Sequence, residues 1–109
     1  MNELDFECIR LMLEFCERVQ RRIKGVDLDT FLDNEDLQDS VLYAVGQIGE
    51  NANKVSESAR ELYHDILWNQ IIGIRHRVFH SYGNVDMSII YEVVVEHMPK
   101  LAKQLRRII

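Results

Sequence analysis

One short stretch of the chain carries the side chains that phosphodiester chemistry requires. Arg75, His80 and Tyr82 lie within eight residues of one another, and His76 follows the arginine directly. An arginine fork suits a phosphate, a histidine titrates near neutral pH, and a tyrosine hydroxyl both donates and accepts hydrogen bonds. Together these groups could act on a phosphodiester by proton transfer and charge stabilisation.

The position of Arg75 in the helical pattern also predicts a charged partner. At about 100° per residue, the apolar residues between Trp68 and Phe79 fall on one arc, with Arg75 near its middle and Tyr82 close to the same line. Desolvating a guanidinium costs several kcal/mol unless it is paired. We therefore expect either an internal carboxylate, such as Glu50 or Glu61, or a bound phosphate.

Metal chemistry is the first alternative for the same region. His76 and His80 are four residues apart and could share a metal ion, but no Cys or Glu stands at a matching position. Glu61 and His64 form only one copy of the Glu-x-x-His pair, whereas di-iron bundles need two copies. The sequence therefore predicts neither a metal nor another cofactor.

The elements that carry these residues have helical periodicity almost throughout. No alternation typical of strands and no internal repeat occurs. Apolar spacing and capping residues predict helices over residues 4–24, from Asp33 or Asn34 to about Val55, over 58–65, from Asp65 or Ile66 to Ser81 and from Asp86 onward, with 25–36 as a loop or short turn. Pro99 should kink the last helix or begin a new segment. The predicted fold is all-α, a four- to five-helix up-down bundle.

Length and composition limit the class of protein. The chain has 109 residues, enough for the single domain that we predict over 1–109, and 47 % of them are apolar. No apolar run approaches the roughly 18 residues of a membrane span, and the acidic start is unlike a secretory signal, so we expect a cytoplasmic protein. Cys8 and Cys16 lie about 12 Å apart on one predicted helix, too far for a disulfide, and are predicted to be buried thiols.

The net charge of −5 argues against a broad nucleic-acid footprint. Six acids and no base occupy residues 27–39, whereas the bases cluster in 18–24, 75–77 and 100–107. The terminal basic clusters are typical of helix ends, where cations complement the macrodipole. The acidic segment either binds a partner or caps a helix, and a phosphate could still be held locally.

Residues 75–82, Arg-His-Arg-Val-Phe-His-Ser-Tyr, resemble the hallmark of the HepT-like toxins of the HEPN superfamily: Arg, four residues, His, one residue, Tyr. Nearly the whole chain takes part in this resemblance. Further similarity in order and spacing lies in residues 31–41, 47–52, 68–75, 83–86 and 98–101. Two positions differ: His76 stands where the family usually has Asn or Asp, and Asn51 where it often has Ala.

The resemblance implies a HEPN-like homodimeric, metal-independent ribonuclease toxin. It also implies a partner, a small MntA-like nucleotidyltransferase antitoxin that transfers AMP to the motif tyrosine. Carried over by position, Arg75 would hold the scissile RNA phosphate and His80 would act as general acid or base. Tyr82 would be the modification target beside the active cleft, and His76 would be an auxiliary group.

The spacing within the motif favours the participation of a second copy. Arg75 and His80 are five residues apart, so an ideal helix separates them by about 140°. They converge on one phosphate only if the helix unwinds before Gly83 or if a two-fold dimer brings two such helices together. Two other functions remain open: a non-catalytic helical partner of a nucleotidyltransferase, in which Arg75 and Tyr82 bind nucleotide, and a dimerisation bundle with Arg75 in an internal ion pair.

Overall fold

The computed structural model describes residues 1–80 and 85–109, with the backbone alone for Phe79 and His80. These residues contain helices and no strand, which confirms the all-α class. The elements in chain order are α1 (Glu3–Ile23), α2 (Leu28–Leu32), α3 (Glu35–Lys54), α4 (Glu57–Leu62), α5 (Trp68–His80), α6 (Met87–Glu92), a π-helix (Val93–His97) and α7 (Met98–Ile108). No helix in these ranges is both long enough and apolar enough to cross a bilayer.

Four long helical segments form the bundle. Helix α3 packs against α1 on one side and α5 on the other, and α7 packs along α1. The third and fourth long segments are α5 and the continuous run of α6, the π-helix and α7. Their apolar stripes meet in one core, whose largest fully buried side chains include Phe31, Ile9, Met12 and Leu105. The arrangement therefore confirms the predicted helical bundle.

Polar side chains fix where the helices begin and end. Asn34 accepts a 3.0 Å hydrogen bond from the Leu37 backbone N–H, and Asp86 accepts one of 2.9 Å from Ser88, so both act as the N-caps that the sequence predicted. Gly25 ends α1 with a φ of 75°, a backbone conformation that glycine adopts without steric cost.

Helix α2 differs from the predicted loop or short turn. Asp27 accepts a 2.9 Å hydrogen bond from the Thr30 N–H and caps a five-residue helix. That helix places the Phe31 ring fully in the core, where its centroid lies 5.5 Å from the ring of Tyr91. The burial of one aromatic ring thus orders a segment too short to show helical periodicity.

Asp5 is a buried carboxylate that joins two helix starts. Its side chain accepts hydrogen bonds from the Ser56 N–H at 2.7 Å and the Ser56 hydroxyl at 2.6 Å, and Asp5 is 1 % exposed. Burial acts to raise the pKa of this carboxyl, but the hydrogen bonds from Ser56 and Asn2 outweigh it, and the pKa lies below its ordinary value. The stability that Asp5 contributes is therefore present near neutral pH and is lost as the pH falls through that lowered pKa.

The two cysteines are free thiols in the interior, as predicted. Cys8 and Cys16 both lie in α1 and are buried. Burial raises the pKa of Cys16 to about 12 and also raises the pKa of Cys8. Because the thiolate is the reactive form, both side chains act as small apolar groups.

The last helical run changes its hydrogen bonding just before Pro99. In the π-helix the Met98 N–H donates to the Val93 carbonyl, five residues back, and α7 then begins with Pro99 in its first turn. Proline has no N–H to donate, and its ring crowds the carbonyl four residues earlier. The structure therefore confirms that a new helical segment begins at this proline.

Candidate functional site

Arg75 lies at a close approach of α5 to α3. A Cβ atom added to Gly49 of α3 would overlap the Cβ of Arg75 and would lie 2.9 Å from the Ile71 carbonyl oxygen and 3.1 Å from the Arg75 Cα. Only a residue without a side chain allows this approach. Gly49 therefore sets the distance between the two helices at the level of Arg75.

The charge of Arg75 is met by Glu50, the residue after that glycine. The Arg75 Nε donates to a carboxylate oxygen of Glu50, and the two side chains are 27 % and 31 % exposed. Glu50 is one of the two carboxylates that the sequence suggested, and the other, Glu61, is exposed on α4. The guanidinium is thus oriented from one side by α3 and remains partly open to solvent.

The apolar side chains of α5 are less buried than their arrangement on one arc of the helix predicts. Trp68 is buried, and its indole N–H donates to the Tyr63 carbonyl at 3.1 Å. Ile72, Ile74 and Val78 are only partly buried, because the extensive contacts of α5 are with α3. One side of the helix that carries Arg75 therefore leaves apolar surface accessible.

The backbone of α5 determines how Arg75 and His80 are placed relative to each other. Helix α5 continues without interruption from Trp68 to His80, so unwinding between Arg75 and His80 does not bring these residues together. They keep the separation of about 140° expected for five residues of α-helix. The side chain of His80 lies outside the described residues, as do Tyr82, Gly83 and Asn84.

His76, the predicted auxiliary group, is exposed on α5 beside Arg75. Within the part of the chain that the structure describes, no three Cys, His, Asp or Glu side chains are grouped so as to hold a metal ion. The His80 side chain is not among those compared. His64, from the incomplete di-iron pattern, is exposed after α4.

The approach at Gly49 predicts opposite effects for two glycine substitutions. Gly49→Ala should lower the free energy of unfolding by about 1–3 kcal/mol, since its methyl group overlaps Arg75. Gly73→Ala should raise it by up to about 1 kcal/mol, because a Cβ there meets nothing within 4 Å and alanine favours the helix. Urea unfolding of both variants measures the difference, and equal effects would contradict the close approach.

Gly49 is the site residue whose role the sequence did not indicate. A glycine inside an apolar helical pattern is a recognised sign of close backbone packing. The sequence alone, however, does not say which helix approaches, and the identity of the facing residue comes from the structure.

The structure thus defines a helical bundle in which α5 holds a partly exposed arginine against a carboxylate of α3. The family model described as "Ribonuclease HepT-like" matches residues 12–108. The chain therefore belongs to the HepT-like ribonuclease family.

Several curated proteins are similar to most of the chain. A protein named "Putative RNase" from Caldanaerobacter subterraneus subsp. tengcongensis is 29 % identical over 90 % of this chain and 88 % of its own length. Another "Putative RNase", from Methanocaldococcus jannaschii, is 27 % identical over 85 % of each chain. The "Probable ribonuclease HepT" of Thermococcus cleftensis is 25 % identical over 81 % of this chain and 80 % of its own. No solved structure matches the chain.

Proposed function

We propose that this protein is a metal-independent endoribonuclease, the toxin of a toxin–antitoxin pair that acts in the cytoplasm. The observation that carries the proposal is the partly exposed Arg75 guanidinium, oriented by Glu50 on the helix that also contains His80. Membership of the HepT-like ribonuclease family supports the same activity. The substrate is RNA, because the proposed reaction uses the 2′-hydroxyl as nucleophile.

In the proposed mechanism each side chain acts on a stated group. Arg75 binds the scissile phosphate and stabilises the negative charge that develops on its oxygens. Glu50 accepts the Nε hydrogen bond, so the terminal amino groups of Arg75 are presented to the phosphate. His80 transfers a proton to or from the reacting oxygens. His76, the residue after Arg75 on α5, is an auxiliary group.

We propose further that the active cleft is shared by two copies in a homodimer. The unbroken helix keeps Arg75 and His80 of one copy on different sides of α5. A two-fold axis places the same patch of both copies face to face, so Arg75 of one copy can meet His80 of the other. The half-covered Ile72, Ile74 and Val78 supply apolar surface for that contact.

A mixing experiment tests the shared cleft. Arg75→Ala and His80→Ala proteins are each inactive under the proposal, and their subunits are mixed under conditions that allow exchange. Random pairing makes half of the dimers mixed, and each mixed dimer regains one complete cleft out of two. We expect RNA cleavage to return to about one quarter of the wild-type rate, measured with a fluorogenic RNA in EDTA.

Two controls accompany the mixture. Each variant is also incubated alone under the exchange conditions, which should restore nothing. If subunit exchange is shown by mass and cleavage still does not return, the two residues do not combine across copies, and the shared cleft is wrong. If the wild-type dimer cuts no RNA in EDTA, the proposed metal-independent cleavage is wrong.

Neutralisation is proposed to act through Tyr82. In this step the tyrosine oxygen attacks the α-phosphate of ATP, an O–P bond forms, and pyrophosphate leaves as the antitoxin transfers AMP. Under this proposal the added AMP carries a negative charge that competes with the RNA phosphate for the Arg75 guanidinium.

Tyr82→Phe should prevent this modification. Incubation with ATP and the cognate nucleotidyltransferase should increase the intact mass by AMP units in the wild type, and the Phe variant should show no increase. The matched control is Tyr43→Phe, because Tyr43 is a tyrosine on α3 that is 56 % exposed. Modification that persists in Tyr82→Phe and disappears in Tyr43→Phe would contradict the assignment.

The non-catalytic alternative is favoured by one observation, the Arg75–Glu50 pair itself. An ion pair between two helices is also what a purely structural arginine would form. In that case the protein would bind nucleotide or only dimerise, and the purified dimer would cut no RNA.

A further inference from the structure

Apart from the region around Arg75, the outer face of α7 is a charged surface of the molecule. Four cations lie on this helix and none of its residues is acidic, although the whole chain carries a net charge of −5. All four side chains are exposed. We call Lys100, Lys103, Arg106 and Arg107 the basic face of α7.

The basic face is opposite the side that packs into the bundle. At about 100° per residue its four members fall within an arc of about 120°. The buried residues Met98, Leu101, Ala102 and Leu105 occupy the other side of the helix. Because that side is anchored in the core and on α1, the basic face is a fixed surface.

Three of the four cations of α7 have no carboxylate partner among the described residues. Arg10 and Arg18 on α1 pair with Glu7 and Glu14 of the same helix. On α7, Arg106 lies 3.9 Å from Glu17, whereas Lys100, Lys103 and Arg107 have no carboxylate within ion-pair distance among the described residues. The charge of this face is therefore largely uncompensated.

Helix-end electrostatics do not explain this pattern. Cations stabilise the last turn of a helix, which accounts for Arg106 and Arg107. Lys100 is the third residue of α7 and Lys103 the sixth, and both precede that last turn. Lys103 is also three or four residues from Lys100, Arg106 and Arg107, spacings at which like charges destabilise a helix.

The face is joined to the helix that carries the candidate site. Gln104 on α7 donates a 3.2 Å hydrogen bond to the Asp65 carbonyl, in the loop that leads into α5. From Trp68, the first residue of α5, Arg75 is about 10 Å further along the helix axis. The C-terminal part of α7 therefore lies against the segment that leads into the helix of Arg75.

We infer that the basic face of α7 binds the phosphate backbone of the RNA outside the cleavage site. This inference rests on the proposed ribonuclease function and adds a binding surface to it. The contacts are to phosphates, because lysines and arginines on a regular helix offer charge without a groove that would recognise bases. The face thus contributes affinity for RNA of any sequence.

The test compares two double variants that remove the same charge. Lys100→Gln with Lys103→Gln removes two members of the basic face. Arg10→Gln with Lys54→Gln removes two exposed cations elsewhere and also changes the net charge by −2. Binding is measured by fluorescence anisotropy on a 2′-O-methyl oligonucleotide, which lacks the nucleophile and is not cleaved, over a range of salt concentrations.

We expect the α7 variant to bind about tenfold more weakly at 0.1 M salt, with a salt slope reduced by about 1.4, about 0.7 for each single-strand phosphate contact. With cleavable RNA its KM should rise while kcat stays within about twofold of the wild type. The Arg10 and Lys54 variant should keep the wild-type slope.

Three outcomes would overturn the inference. The first is an unchanged slope in the α7 variant, and the second is an equal loss in both variants, which would indicate an effect of net charge alone. The third is unchanged RNA binding with weakened binding of the nucleotidyltransferase, which would assign the face to a protein partner. Failure of the wild type to cleave RNA would reject the proposed function instead, and the binding slopes would still decide the role of α7.

Discussion

Replacing His80 with alanine is expected to slow RNA cleavage by at least about 100-fold. A positioned general acid or base contributes about 100- to 10,000-fold to a reaction rate, and His80 is the residue to which the proposed mechanism assigns this role. The rate is measured with purified dimer on a fluorogenic RNA in EDTA. Loss of toxicity on expression should accompany the loss of cleavage.

His64→Ala is the matched control for this substitution. His64 is exposed after α4 and takes no part in the proposed cleft, so its variant should cleave RNA at the wild-type rate. Circular dichroism and thermal unfolding should be unchanged in both variants. Undiminished cleavage by a folded His80→Ala protein would remove His80 from the mechanism.

Replacing Arg75 with leucine should abolish cleavage with little effect on stability. Loss of one group that stabilises developing negative charge costs about 100- to 1,000-fold in rate. The free energy of unfolding should change by no more than about 1 kcal/mol, because the pair with Glu50 is partly exposed and such pairs contribute little. Cleavage assays and urea unfolding on the same preparation measure both effects.

Arg75→Lys separates charge from geometry in this experiment. Lysine keeps the positive charge but lacks the planar fork through which arginine binds Glu50 and a phosphate together. We expect partial activity, between the wild type and Arg75→Leu.

A fall of about 3–5 kcal/mol in the stability of Arg75→Leu, typical of a broken buried pair, would instead support the structural alternative.

The sequence predicted most helix boundaries because they depend on local chemistry. Gly25 and Asn34 act at the ends of α1 and α3 through their own backbone and side chain, so their residue types alone indicate a stop and a start. Helix α2 was not predicted because five residues are too few for a helical period. Its formation depends on the burial of Phe31 against Tyr91, which is a tertiary contact.

The sequence alone could not identify the carboxylate that pairs with Arg75. The arginine on an apolar arc predicted a carboxylate, but Glu50 and Glu61 were equally suitable by residue type. The choice is made by Gly49, whose missing side chain lets α5 approach α3 and brings the next residue, Glu50, beside the guanidinium. Such a choice depends on packing between helices and leaves no periodic signal in either of them.

The π-helix before Pro99 determines which side of α7 faces the core. Ile90, Val94 and Met98 are all buried at intervals of four residues, a spacing that would drift by about 40° per step around a regular α-helix. The wider π turn absorbs this excess and keeps the three side chains in line. A regular α-helix over the same residues would accumulate about 80° over the two steps and would turn the apolar side of α7 away from the core.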